Sequence, residues 1–231
     1  QALHPLALAG VWDHSNFRDD LLGRLRRTGQ FISGTTFGST RDAEWLLDKV
    51  RTIHLQVVGT APDGRPYAAS DPALLTWVHV AEVSCFLKAH LRYCNPQLSV
   101  VEQDRYYAEV ALIAERLGAR DVPRSCAEVE AYLAAIRPQL LCDDRSRAIL
   151  AILQAAPAPS AIAVPMGKLM LQAGYELLPD WAQQLFGKPL GPRRSRLIQM
   201  AVGRVAPILR WAVRSAAVHR AHKRLGLAIR R

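Results

Sequence analysis

The chain has 231 residues, of which 50% are hydrophobic, so it is long enough for one sizeable core and short for two. Its four cysteines show neither CxxC nor CxxCH spacing, which excludes a cysteine zinc site and a covalently attached c-type haem and is typical of reduced thiols in a cytosolic protein. The net charge of +10 leaves nucleic acid, a membrane surface or an acidic molecule as classes of partner.

In chain order, the pattern predicts an irregular arm over residues 1–15 and helices from there onward. Helix starts are marked by Asp71-Pro72 and by the capping-box sequences that begin at Ser99 and Ser125. No segment alternates with period two for long enough to predict a strand. The predicted helices cover residues 16–31, 39–59, 71–92, 99–117, 125–138, 143–155, 162–177, 180–186 and 193–225. We therefore expect a single all-α domain over residues 1–231.

His54 lies in the middle of an apolar face of the predicted helix 39–59. Its neighbours one turn away are Val50, Val57 and Val58, with Arg51 beside them. A buried imidazole needs a partner for each ring nitrogen, or a metal on one of them. His54 is therefore either a core histidine satisfied by a backbone carbonyl or a single axial ligand to a haem iron.

Two further groups of polar residues could take part in chemistry. Arg24, Arg27 and Thr28 share one face of the helix 16–31, where they are either solvated or bind haem propionates or a substrate carboxylate. His79 and Glu82 lie three residues apart on the helix 71–92, a spacing that allows a hydrogen bond that would fix a histidine tautomer. A pocket-lining role and a structural role remain open for this pair.

The positive charge is concentrated near the C-terminus. Past Asp180 there are twelve Lys and Arg and no acidic residue, whereas the preceding part has 18 basic against 20 acidic residues. Within residues 193–231 the basic residues alternate with apolar ones in an amphipathic helical pattern. The interpretations are a helix packed on the body with solvated arginines, peripheral membrane contact, and nucleic-acid binding, which ranks last because no binding motif accompanies the charge. We expect no specific nucleic-acid partner.

No segment has the order of a signal peptide, and the longest uncharged stretch, Ala148–Gly167, is broken by three prolines. It predicts a loop between buried helices rather than a membrane span. The expected location is cytoplasmic, with membrane association through the basic C-terminal region as a further option.

An ordered series of short motifs resembles the MpaB-type oxygenase family, which includes the latex-clearing proteins (rubber oxygenases). The resemblance covers roughly residues 17 to 190. The motifs are DPALLTWVHV at Asp71–Val80, SCFL at Ser84–Leu87, Leu98-Ser99 with Glu102, DRYY at Asp104–Tyr107 with Glu109, and AEVEAY at Ala127–Tyr132 before Arg137-Pro138.

Characterised relatives in the latex-clearing branch are all-α proteins that bind haem b and cleave carbon–carbon double bonds with dioxygen. Their haem is held by one histidine with an arginine three residues before it, which Arg51 and His54 match. They also have an Arg-x-x-Lys-Thr element, matched here by Arg24, Arg27 and Thr28 with arginine in place of lysine. Because arginine stays protonated and does not readily ligate iron, the resemblance predicts an open or water-filled distal position.

The sequence thus predicts an all-α helical bundle that encloses a haem pocket and acts as a haem b-dependent oxygenase on a small or apolar organic substrate, with dioxygen or peroxide. His54 is the predicted iron ligand. Arg51, Arg24, Arg27 and Thr28 are the other predicted cofactor-binding residues, and Arg27, Thr28, His79 and Glu82 are the predicted catalytic residues. The alternatives are a non-catalytic haem carrier or sensor and a helical module that docks on membranes.

Overall fold

The computed structural model describes residues 1–156, 160, 163–212 and 216–227, and it confirms the predicted all-α class. The only strands in this part of the chain are two short ones, β1 (Val58–Thr60) and β2 (Pro66–Ala68). The helices are α1 (Pro5–His14), α2 (Leu21–Phe37), α3 (Thr40–Gln56), α4 (Pro72–Tyr93), α5 (Val100–Leu117), α6 (Cys126–Ile136), α7 (Asp144–Gln154), α8 (Val164–Glu176), α9 (Asp180–Leu185), α10 (Pro192–Ala212) and α11 (Ala216–Arg224), with a 3₁₀ turn at Arg137–Gln139.

Helix α4 is the centre of the bundle. It starts as predicted, because the Asp71 side chain accepts hydrogen bonds from the backbone N–H of Ala73 at 2.8 Å and of Leu74 at 3.2 Å, and Pro72 follows at the first helical position. Seven of its side chains are buried, and it packs against α1, α5, α6 and α10. Burial of this face supplies the main hydrophobic stabilisation of the fold.

Three of the apolar clusters contain a residue of α4. Leu75 packs with the small residues Ala111 and Ala114 of α5. One turn on, Val80 packs with Tyr107 of α5. Trp77 belongs to a third cluster, on another side of the helix. Alanine at the α5 contacts lets the two helices approach closely.

The predicted caps of α5 and α6 are confirmed. Ser99 and Glu102 form a complete capping box, in which Ser99 Oγ accepts from the Glu102 N–H and the Glu102 side chain accepts from the Ser99 N–H. Ser125 Oγ caps α6 by accepting from the Glu128 N–H, but the predicted box is not completed there, because the Glu128 side chain accepts from the Arg124 N–H instead. Gly118 ends α5 with a left-handed φ of 110°, a conformation that favours glycine.

The predicted irregular arm over residues 1–15 is wrong for most of its length, since Pro5–His14 form helix α1. Leu8 and Ala9 of this helix are buried. Its N-cap is His4, whose Nδ1 accepts from the Ala7 N–H at 3.5 Å. Histidine is not a typical cap, so the start of the helix had no recognisable signal.

The predicted helix 39–59 begins at its Ser39 cap but ends three residues early, at Gln56. The chain then forms an antiparallel hairpin in which Gly59 pairs with Tyr67. A Cβ atom on Gly59 would lie 2.5 Å from the Tyr67 hydroxyl, so glycine is required for this contact and not for a helix stop. Strands of three residues are too short for a period-two pattern, which is why the hairpin was missed.

Helices α2 and α3 form a helical hairpin that lies against α5 and α11. Helix α2 is shifted relative to the predicted range 16–31, because its cap is Asp20, which accepts from the Gly23 N–H at 2.8 Å. Gly34 lies opposite Leu46, where a Cβ atom would clash with the leucine side chain.

The C-terminal region is helical, as predicted. Ile198 and Val202 of α10 are buried against Ala173 of α8, which supports the interpretation of a packed helix. Pro165 does not break a helix but occupies its first turn, in α8. Pro157, Pro159 and the predicted tail positions 213–215 and 228–231 lie outside the described residues.

Cys85, Cys126 and Cys142 are half-buried free thiols, and Cys94 is exposed. No described helix combines the length and the apolar character that crossing a membrane requires.

Candidate functional site

His54 lies in the last turn of α3 and is half-buried. Its Nδ1 atom is buried and has no hydrogen-bond partner among the described residues. Burial lowers the pKa of His54 below its usual value, so the imidazole is neutral at physiological pH and one ring nitrogen carries a free lone pair. A buried polar atom without a partner costs stability, and a lone pair in this setting can ligate a metal ion.

A polar cavity lies between α3 and α5, one turn before His54 on α3. Its volume is about 360 Å³. Arg51 lines it from α3 and Glu115 from α5, so the packing of these helices brings together residues that are far apart in sequence. At its edge Arg116 donates a hydrogen bond to Glu44 at 2.6 Å. The lining residues are Glu44, Leu47, Asp48, Arg51, Glu115 and Arg116.

His79 of α4 lies near Glu115, which lines the polar cavity. Burial lowers the pKa of His79 to about 4, and the nearby carboxylate of Glu115 offsets only part of this effect. The imidazole is therefore neutral at pH 7. Arg51 and His79 thus both lie near Glu115 of α5, and His54 follows Arg51 by one turn on α3.

Glu82 does not form the hydrogen bond with His79 that their spacing allows, in the part of the chain that the structure describes. Its carboxyl is half-buried on α4, and burial raises its pKa above the usual value. The charge of Glu82 acts on Tyr106 of α5, whose hydroxyl donates to the Val83 carbonyl at 3.2 Å. The catalytic roles of His79 and Glu82 stay predictions.

Arg24 lines a second, largely apolar cavity of about 280 Å³ between α1, α2 and α7. Its guanidinium donates to Ser15 Oγ at 2.6 Å. Burial, and then the charge of Arg27, lower its pKa. No carboxylate pairs with it within the described ranges. The apolar lining includes Val11, Phe17, Leu21, Leu25, Ile149 and Leu153.

Arg27 and Thr28 are exposed on α2 and line neither cavity. The Arg27 guanidinium donates to Asp20 Oδ2 and to Asn16 Oδ1, both at 3.3 Å. The structure therefore does not bring Arg27 and Thr28 together with Arg24 in one pocket. Their predicted cofactor-binding and catalytic roles would require the Arg27 side chain to leave these two partners.

Sequence reasoning missed three acidic residues of the polar cavity. Glu44 and Asp48 lie seven and three residues before Arg51, so their shared helix face was a signal available in the sequence. Glu115 had no such signal, because it reaches the cavity only through the packing of α5 on α3. No group of three or more histidine, cysteine or acidic residues suited to a bare metal ion occurs in the described ranges.

Comparison with known families shows which family this chain belongs to. A family model described as "ER-bound oxygenase mpaB/B'/Rubber oxygenase, catalytic domain" matches residues 1–227. The chain belongs to this oxygenase family. The match spans nearly all of the sequence, well beyond the resemblance over residues 17–190. Searches of the curated proteins and of the solved structures gave no match.

Protonation of His79 gives a testable pH effect. The unfolded chain takes up this proton near pH 6.5, but the folded chain does so only near pH 4, so its contribution to stability is present above about pH 6.5 and is lost as the pH falls toward 4. The unfolding free energy of the wild type falls between pH 7 and pH 4.5. We expect this fall to be smaller by up to ~3 kcal/mol in His79→Asn, measured by urea denaturation at both pH values. His90→Asn, at an exposed position of α4, is the control. An unchanged pH dependence for His79→Asn would contradict the burial argument.

Proposed function

We propose that this member of the oxygenase family is a haem b-dependent enzyme in which His54 is the only protein ligand of the iron. The observation that carries the proposal is the buried, unpartnered Nδ1 of a neutral imidazole on α3. A single histidine is enough to hold a haem, so the lack of a multi-residue metal cluster in the described ranges does not conflict with it. The residues present therefore fit the group.

Two arginines are the best candidates for the haem propionates. Arg51 lies one turn before His54 and lines the polar cavity, and Arg24 lies on α2, the helix that packs against α3. Guanidinium groups bind carboxylates with charge-assisted, often paired hydrogen bonds. Arg24 is the better placed of the two, because its guanidinium is half-buried and its partner Ser15 is neutral.

Haem, when bound, supplies the dioxygen chemistry, and this chain supplies orientation, polarity and access. His54 presents a neutral ring nitrogen. His79 is neutral at pH 7 and can accept or donate one hydrogen bond, while the raised pKa of Glu82 lets its carboxyl hold a proton at higher pH than an exposed one. Arg27 donates to Asp20 and Asn16, and a guanidinium held there would not serve as a further iron ligand.

The apolar cavity lined by Arg24 is the observation that favours a small or apolar organic substrate. Its volume of about 280 Å³ is near the lower limit of ligand pockets, which are mostly apolar with few polar groups. Arg24 and Leu25 of α2 line this cavity. Helix α2 forms the helical hairpin with α3, which contains His54. The substrate would thus lie beside α2.

A non-catalytic haem carrier or sensor is the second candidate. It is favoured by one observation: the predicted catalytic residues Arg27, Thr28, His79 and Glu82 form no hydrogen bonds with one another within the described residues. A carrier needs the axial ligand and the propionate contacts, and it needs no such network.

The test is the absorption spectrum and haem content of the purified full chain. We expect one haem per chain, extractable with acid-acetone because the chain lacks CxxCH, and a Soret band that shifts with cyanide or imidazole. Dioxygen uptake with squalene or oleate as apolar unsaturated probes should exceed that of free haem.

The outcomes separate the candidates. Haem binding without substrate-dependent oxygen uptake would favour the carrier, and failure to bind haem after reconstitution would overturn both proposals. A low-spin six-coordinate spectrum that resists cyanide would contradict the open position and point to a second protein ligand, with His79 the first to replace.

A further inference from the structure

Helix α10 carries a second apolar face that is largely exposed. Its inner face is buried on α8 through Ile198 and Val202. On the opposite side, four large side chains point outward: Leu197 is 62% exposed, Met200 49%, Ile208 63% and Trp211 74%. These four residues are named the outward face of α10.

The outward face follows one side of α10 in two pairs, Leu197 with Met200 and Ile208 with Trp211, separated by Arg204 and by Pro207 inside the helix. At 1.5 Å per residue the four positions span about 21 Å along the helix axis. Exposed apolar side chains grouped on one face mark an interaction site, whereas isolated exposed residues need no explanation.

All the charged residues of α10 are arginines. Arg193, Arg194, Arg196 and Arg204 are exposed, and none of them forms an ion pair among the described residues. The sequence contains no acidic residue past Asp180 to neutralise them. The result is an exposed helix with an apolar line, an aromatic residue near one end and free guanidinium groups alongside.

We propose that the outward face of α10 docks onto an anionic lipid surface, with the helix lying in the plane of the interface. Anionic headgroups match the arginines, and the acyl boundary takes the apolar line and the Trp211 ring. A nucleic acid would engage the arginines but would leave four large apolar side chains in water. The inference does not depend on haem binding by His54.

The test uses the full chain with vesicles of phosphatidylcholine alone and of phosphatidylcholine with 30% phosphatidylserine. We expect sedimentation with the anionic vesicles only, weakened by salt. Leu197→Ser combined with Trp211→Ser should weaken binding about tenfold or more. Arg193→Glu combined with Arg196→Glu should weaken it to a similar degree and remove most of its salt dependence.

Matched controls lie elsewhere on the surface. Val100→Ser with Val101→Ser removes two exposed apolar side chains from α5, and Arg41→Glu with Arg105→Glu makes the same change in net charge away from α10. Both control pairs should bind anionic vesicles as the wild type does.

Several results would overturn the proposal. They are absence of binding to anionic vesicles, equal binding by the α10 variants and the wild type, or equal loss in variants and controls. A wild-type dimer that the α10 variants convert to a monomer, without vesicle binding, would assign the face to a second copy of the chain. Haem content should be unchanged in all variants, so failure here is distinguishable from failure of the haem proposal.

Discussion

Replacing His54 with alanine is expected to abolish stoichiometric haem binding while leaving the fold intact. The variant should lose its Soret band, and millimolar imidazole should restore it by filling the space left at the iron. His90→Ala, a change at an exposed position of α4, should keep wild-type haem content. An unchanged Soret band and haem content in His54→Ala would show that His54 is not the ligand.

Stability measurements distinguish this role from that of an ordinary core histidine. Nδ1 of His54 is buried without a partner, so removing it in His54→Leu relieves a desolvation penalty. We expect the unfolding free energy of the haem-free protein to stay level or to rise by about 1 kcal/mol, measured by urea denaturation at pH 7.5. A loss of more than ~2 kcal/mol would indicate that the histidine is held by a structural hydrogen bond.

The fold was predictable where the signals are local. Asp71-Pro72 and the Ser99 and Ser125 caps satisfy backbone groups within four residues, so their effect can be recognised without knowing the tertiary structure. Helix α1 was not predicted, because its N-cap is His4 and histidine is not a typical cap residue. Gly59 misled the prediction because its role depends on Tyr67, which reaches it only once the hairpin has formed.

The candidate site was likewise predictable only where its signals are local. The position of Arg51 one turn before His54 on α3 follows from helical spacing, but the predicted apolar face around His54 is wrong, because α3 ends at Gln56 and Val58 lies in β1 and is 54% exposed. The grouping of Arg24 with Arg27 also follows from spacing, yet the structure turns one guanidinium toward Ser15 and the other toward Asp20 and Asn16. Which partner a long side chain selects depends on the loop before α2, and helical periodicity contains no information about that loop.

A buried carboxylate adds a polar link between α10 and the body to the apolar packing of Ile198 and Val202. Glu176 of α8, with its side chain 5% exposed, accepts hydrogen bonds from Arg92 of α4 at 2.9 Å, Ser195 Oγ at 2.6 Å and Gln199 Nε2 at 2.8 Å. Burial alone would raise the pKa of Glu176, but the hydrogen bonds from Ser195, Gln199 and Arg92 outweigh it and hold the pKa below its usual value. Three helices thus share one charged junction.

We expect Glu176→Gln to lower the unfolding free energy by about 2–3 kcal/mol at pH 7, because it leaves Arg92 without a counter-charge. The exposed Arg105–Glu109 pair is the matched control, and Glu109→Gln should change stability by less than ~0.5 kcal/mol. Since the folded pKa of Glu176 is depressed, its contribution is present above about pH 4.5 and is lost as the pH falls below that value. Urea denaturation should therefore show the deficit of Glu176→Gln shrinking between pH 5 and pH 3. A deficit that stays constant over this range would mean that the side chain stabilises α10 through packing and neutral hydrogen bonds alone, without a contribution from its charge.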